Sequence, residues 1–160
     1  MQLLARFLAA FSVMLVALPL VGTAQAPQGL MGTWKVNVAK STYSPGPGPK
    51  SQTSVWATAP GGGWTNTVDG VDAAGKPTHT EQVMMFDGKP VELRGAPVPT
   101  TRAFSRVDDR TYQFVDRVNG KVTTTTRVTI AADGKTRTNV ATGTNADGKP
   151  VNNTMVWERQ

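Results

Sequence analysis

The side chains best suited to chemistry in this sequence are a histidine and a glutamate two positions apart, His79 and Glu81. On a strand that spacing places both on one face, where an imidazole and a carboxylate can share a proton or a metal ion. A zinc site needs at least three protein ligands, and the chain has no second histidine and no cysteine. We therefore predict no metal site, and we interpret His79 as a polar anchor for a bound molecule.

Other catalytic signatures are missing from the sequence as well. It contains no Gly-x-Ser-x-Gly nucleophile motif and no glycine-rich phosphate loop that opens a helix. The absence of cysteine also excludes disulfides and thiol catalysis. We predict a protein that is not an enzyme, has no catalytic residues and needs no cofactor.

Short glycine turns recur along the chain and indicate its fold class. Asp or Asn followed by Gly-Lys occurs at residues 87–89, 119–121, 133–135 and 147–149, with an Ala-Gly-Lys variant at 74–76. Asp-Gly and Asn-Gly between alternating segments are strong hairpin signals, because such turns need positive φ angles. About ten residues separate successive turns, which is the strand length of an antiparallel meander.

The segments between the turns alternate in hydrophobicity and are rich in β-branched residues, which favours an all-β fold. The predicted strands are residues 32–38, 51–59, 64–72, 77–86, 90–93, 101–107, 111–118, 121–131, 136–145 and 151–159. An up-and-down antiparallel meander of about eight to ten strands closes into a barrel when its last strand pairs with its first, and closure removes the exposed edges. A two-sheet β-sandwich is the alternative.

Alternation also predicts which side chains face the barrel interior. We expect every second residue from His79 to Met85, from Thr124 to Ile130 and from Thr136 to Thr142 to point inward. A barrel of ten strands is wider than its side chains fill, so a cavity with amphipathic walls is expected, unless the threonines face solvent. The residues predicted to bind a ligand there are Trp34, Val36, His79, Val128, Ile130, Met155 and Trp157.

Two segments resemble the calycins, the family of lipocalin and fatty-acid-binding barrels. Gly32-Thr33-Trp34 is similar to the Gly-x-Trp that opens the first lipocalin strand, and Thr154 to Arg159 is similar to the last strand of fatty-acid-binding proteins. The chain also resembles small exported bacterial lipocalin-like proteins. The resemblance implies a barrel that binds a small apolar or amphipathic molecule. Met155 and Trp157 occupy the places where fatty-acid-binding proteins hold the ligand carboxylate with Arg and Tyr, so the resemblance does not extend to fatty-acid specificity.

Residues 1–26 are predicted to be a signal peptide. Arg6 precedes an apolar stretch at 7–18 that is too short to span a bilayer comfortably, and small residues allow cleavage after Ala24 or Ala26. An uncleaved membrane anchor is the alternative. We expect an exported protein, periplasmic or extracellular, with a single mature domain at residues 27–160 that has no membrane span and is monomeric.

The chain is basic, with 17 Lys and Arg against 11 Asp and Glu. The basic residues are scattered, and no aromatic stacking motif accompanies them, so we do not predict nucleic-acid binding. Two functions remain. The first is a non-enzymatic binding protein for a small apolar or amphipathic ligand. The alternative is an interaction module, an inhibitor or envelope-associated factor, whose basic surface contacts an anionic envelope component or another protein.

Overall fold

A computed structural model describes Pro27 and residues 29–160, so the predicted signal peptide lies outside the described residues. The described part is all-β and contains ten strands without a helix, as the periodicity predicts. The strands are β1 Gly32–Thr42, β2 Ser51–Thr58, β3 Trp64–Val71, β4 Pro77–Met84, β5 Asp87–Glu92, β6 Thr100–Arg106, β7 Thr111–Val118, β8 Lys121–Ile130, β9 Thr136–Thr144 and β10 Pro150–Arg159.

The ten strands form one antiparallel sheet in the order β4-β3-β2-β1-β10-β9-β8-β7-β6-β5. The first and last strands are neighbours, and Val36 lies directly opposite Trp157. The predicted pairing of the chain ends is therefore confirmed, and the sandwich alternative is wrong because one continuous sheet curls into a nearly closed barrel.

The barrel is incomplete between β4 and β5. Across this gap Glu81 of β4 forms an isolated bridge with Arg94, which lies just beyond the end of β5, and the two residues exchange backbone hydrogen bonds of 3.0 and 2.9 Å. The reversal between the two strands also differs from the prediction. It occurs at Met85 and Phe86, and the Asp87-Gly88-Lys89 segment predicted as a turn forms an irregularity at the start of β5. Phe86 adopts the positive φ of 53° at this reversal and packs into the aromatic core.

One end of the barrel is filled by hydrophobic side chains. At this closed end the chain before β1 turns across the opening, and Leu30 is completely buried. The indole of Trp34 donates a hydrogen bond of 2.8 Å to the Leu30 carbonyl, which ties this segment to the first strand. The core residues packed around it are Val36, Trp56, Met84, Phe104, Tyr112, Phe114, Val128, Ile130 and Trp157.

The proline- and glycine-rich connection between β1 and β2, residues 43–50, contains no helix. The Ser44 carbonyl oxygen accepts a hydrogen bond of 2.7 Å from the backbone N–H of Asn152, and the Ser44 backbone N–H donates one of 2.8 Å to Asn153 Oδ1. Both asparagines are on β10. The connection is therefore held against the wall of the barrel. Within the described residues, no helix is long and apolar enough to cross a membrane.

Candidate functional site

The barrel contains a cavity of about 580 Å³ beside the hydrophobic core. Its rim is formed by the β5–β6 connection, which contributes Pro97 and Val98, and by the β9–β10 turn at residues 144–147. This volume lies in the usual range for small-molecule sites. The wall below the rim is built from every second residue of the strands, principally Gln52, Ser54, Trp56, Asn66, Val68, Thr80, Arg102, Phe114, Asp116, Thr124, Thr126, Arg137, Asn139, Ala141, Asn153, Met155 and Trp157.

The structure divides the predicted ligand-binding residues into two groups by position. Met155 and Trp157 line the cavity. The others on the inner face, Trp34, Val36, Val128 and Ile130, are buried in the core at the closed end and do not reach the cavity wall. Inward orientation was predicted correctly for all six, but alternation along a strand does not tell at which height along the barrel axis the packed core ends.

The side chain of His79 lies outside the barrel, contrary to the predicted inner face of β4. It is 57% exposed, and its Nδ1 lies 2.7 Å from the Asp69 carboxylate on the outer surface of β3. Opposed residues on neighbouring strands share a face, and the register pairs Trp64 with Met84. Because the bulky Trp64 is buried, Met84 and the other even-numbered residues of β4 turn inward and His79 turns out.

The inner face of β9 is also the opposite of the predicted one, and this reversal places an arginine inside the barrel. Arg137 and Asn139 line the cavity, whereas Val140 is exposed. Only 3% of Arg137 is accessible to solvent. Its guanidinium lies over the rings of Trp34 and Trp157, with the central carbon 5.1 and 4.6 Å from their centroids.

Among the described residues, the Arg137 guanidinium has no acidic partner, and its Nε has no hydrogen-bond acceptor. Burial, and to a smaller extent the positive charge of Arg159, lower the pKa of Arg137 from its usual value to about 9. The side chain therefore remains a cation at neutral pH. A buried cation without a counter-charge is rare in proteins, because its desolvation is costly.

The neighbouring Arg159 shows the contrasting, structural use of an arginine. Its guanidinium donates hydrogen bonds to the carbonyl oxygens of Gly29, Met31 and Gly134 at 2.7, 2.5 and 2.8 Å. Its central carbon also lies over the Trp34 ring, 4.3 Å from the ring centroid. Arg159 thus holds the closed end of the barrel together, while the Nε of Arg137, one strand away, has no acceptor among the described residues.

A second arginine of the cavity wall is already neutralised. Arg102 donates two hydrogen bonds of 2.5 and 2.8 Å to the Asp116 carboxylate, and both side chains are less than one-fifth exposed. Arg102 also lies 4.5 Å from the centre of the Phe114 ring. The carboxylates lining the cavity are Asp116, held in this pair, and Asp147 at the rim.

Further polar atoms of the cavity wall have no partner among the described residues. They include two indole donors, Trp56 Nε1 and Trp157 Nε1, and two amide acceptors, Gln52 Oε1 and Asn139 Oδ1. Within the described part of the chain, no three His, Cys, Asp or Glu side chains come close enough together to hold a metal ion. The chemistry that this wall offers is therefore hydrogen bonding and one buried positive charge, that of Arg137, without an acidic partner among the described residues.

No known protein-family model matches the sequence, and no curated protein does. Among solved structures, the fluorescent protein UnaG is similar, with a TM-score of 0.54 and 15% sequence identity over 83% of this chain and 98% of UnaG. A point mutant of UnaG gives a TM-score of 0.53 at 14% identity, covering 83% and 97% of the two chains. Similarity at this identity shows the fold alone. The calycin-like barrel implied by the sequence resemblance is thereby confirmed as the fold of this chain.

Proposed function

We propose that this protein is an exported, non-enzymatic binding protein that holds a small amphipathic anion in the cavity of its barrel. The observation that carries the proposal is Arg137, a buried cation on the cavity wall without a counter-charge among the described residues. An anionic group of a ligand would supply the missing charge and the missing acceptor for Nε.

The position of Arg137 modifies the expectation drawn from the last strand. Met155 and Trp157 give a carboxylate no charged partner, but the register places Arg137 directly opposite Trp157 on the neighbouring strand. A cation is thus present in the interior on β9, one strand away from β10, where fatty-acid-binding proteins carry the arginine that holds the ligand. This arrangement supports the binding of an organic acid.

The remainder of the wall supports an amphipathic ligand rather than a bare inorganic anion. Trp56, Phe114 and Met155 offer apolar contact area, while amide and hydroxyl side chains stand between them. A cavity of about 580 Å³ is also much larger than a phosphate or sulfate ion requires. An organic molecule with one charged end would use both kinds of surface.

Native mass spectrometry tests this proposal directly. The full chain, signal segment included, would be expressed in its own host and the wild type and the Arg137→Met variant purified from the exported fraction. We expect an additional small-molecule mass on the wild type that is absent from Arg137→Met. The matched control is Thr138→Val, on the outer face of the same strand, which should retain the mass.

Two results would contradict the proposal. One is a wild-type protein that carries no small molecule and binds none of a panel of organic acids. The other is a bound mass that Arg137→Met retains in full. Export is checked in the same experiment by N-terminal sequencing, which should begin after Ala24 or Ala26 rather than at Met1.

A further inference from the structure

Neutral hydrogen-bonding side chains make up much of the cavity wall around Arg137. Ser54 and Asn66 are buried there and bonded to each other, with the Asn66 amide donating to the Ser54 hydroxyl at 2.9 Å. Thr126 and Asn139 stand on the two neighbouring strands β8 and β9 and are also buried. An aliphatic chain lying against such a wall would replace water without replacing its hydrogen bonds.

Two amide oxygens of the cavity wall, unpaired among the described residues, indicate that the ligand carries hydrogen-bond donors. Gln52 Oε1 and Asn139 Oδ1 are buried acceptors without a partner among the described residues. Buried polar atoms are ordinarily paired, and leaving one unpaired is unfavourable. The carboxylate of a simple fatty acid has only acceptors, so it can satisfy Arg137 but not these amide oxygens. Hydroxyl groups can donate to an amide oxygen and accept from an amide or indole nitrogen.

Aromatic side chains complete the wall. Trp56 and Trp157 line the cavity, and the Nε1–H of each lacks an acceptor among the described residues. Buried Trp N–H groups usually find a partner. A saturated ring with equatorial hydroxyl groups fits this combination, because its C–H faces can pack on aromatic rings while the hydroxyl groups around its edge make hydrogen bonds.

We propose that the anion is a hydroxyl-rich carboxylate of the sugar-acid class, and that Asn139 selects it over aliphatic acids. This inference rests on the proposed function, since it takes Arg137 as the partner of the carboxylate. It departs from the apolar or amphipathic ligands that the calycin resemblance implies.

The test compares three probes of six carbons by isothermal titration calorimetry on the full mature chain. D-glucuronate has the charge and the hydroxyls, hexanoate has only the charge, and D-glucose has only the hydroxyls. We expect glucuronate to bind at least about tenfold more tightly than either of the others, a difference of about 1.4 kcal/mol. Arg137→Met should abolish that binding. Asn139→Leu should weaken glucuronate while leaving hexanoate unchanged or improved, and Thr138→Val should change neither.

The possible outcomes separate the two proposals. Hexanoate binding as tightly as glucuronate, and still depending on Arg137, would overturn the sugar-acid inference and leave the anion-binding function in place. Glucuronate binding that survives Arg137→Met would contradict both. If none of the probes binds at millimolar concentration, the inference is wrong, and the mass carried by the protein from its host decides the function independently.

Discussion

Replacing Arg137 by methionine should stabilise the free protein. Desolvation lowers the pKa of this guanidinium from its usual value to about 9, and at about 1.4 kcal/mol per pH unit such a displacement corresponds to roughly 5 kcal/mol of unfavourable free energy. Stacking on Trp34 and Trp157 offsets part of it, at roughly 0.5–2 kcal/mol for each ring. A methionine keeps the packing and removes the charge, so we expect a net gain of about 1–4 kcal/mol, as for other buried charges replaced by apolar side chains.

Urea unfolding at pH 7 measures this gain, and pH dependence identifies its cause. Because the folded pKa lies below the unfolded one, the cost of the charge is fully present below pH 9 and is relieved as the pH rises above 9. The advantage of Arg137→Met should therefore shrink above pH 9. Arg159→Met is the control, and should destabilise because it leaves the carbonyls of Gly29, Met31 and Gly134 without their donor. If Arg137→Met destabilised the fold by more than about 1 kcal/mol, the guanidinium would be a structural group and the reasoning would fail.

Three other measurements test the barrel and its site. Trp34→Ala and Trp157→Ala should each lower the free energy of unfolding by roughly 3–5 kcal/mol. Because both rings contact Arg137 in one core, the double variant should lose about 0.5–3 kcal/mol less than the sum of the two. Strict additivity in denaturant unfolding would refute this. Leu30→Ala should destabilise the protein by about 2–5 kcal/mol, because the side chain is completely buried at the closed end. An unchanged melting temperature would show that this segment does not close the barrel. Affinity for an anionic probe should fall as the pH rises through about 9, where Arg137 loses its charge, and a flat profile in calorimetry up to pH 10 would exclude it as the anchor.

The number and order of the strands, and most of their ends, could be predicted from the sequence because they depend on local signals, although β1 continues to Thr42 instead of ending at 38 and β5 begins at Asp87 instead of 90. Asn119 and Gly120 both adopt the positive φ angles that an Asn-Gly turn requires, at 51° and 76°. Pairing of the first strand with the last followed from their apolar faces. The seam between β4 and β5 could not be predicted in this way, since it depends on Phe86, whose positive φ no local rule favours.

The orientation of β9 was available in the sequence but required a longer argument than alternation. The turn fixes the register, because Asn145 pairs with Lys149 across it. Counting back from that pair sets Arg137 opposite Trp157. Opposed residues share a face, so an inward Trp157 requires an inward Arg137. The threonines on the opposite face of β9 gave no sign of this orientation, because threonine favours strands whether it faces the interior or the solvent. What the sequence could not provide is the burial of Arg137 without a counter-charge among the described residues, which depends on the packing of Trp34, a residue distant in sequence.

The stability cost and the proposed binding role of Arg137 have the same physical origin. A charge held in a desolvated wall destabilises the free protein, and the same desolvation strengthens its attraction to an anion that enters the cavity. The ligand-free barrel is therefore less stable than it would be without the buried charge. A bound anion would recover this lost stability by pairing with Arg137. Ligand binding and stability should be linked: at a given concentration, an anionic ligand should raise the unfolding midpoint of the wild type more the more tightly it binds. In Arg137→Met the midpoint would be higher from the start and insensitive to the ligand. A protein selected only for stability would have no reason to keep the arginine, and that is why the two measurements together discriminate a binding site from a structural feature.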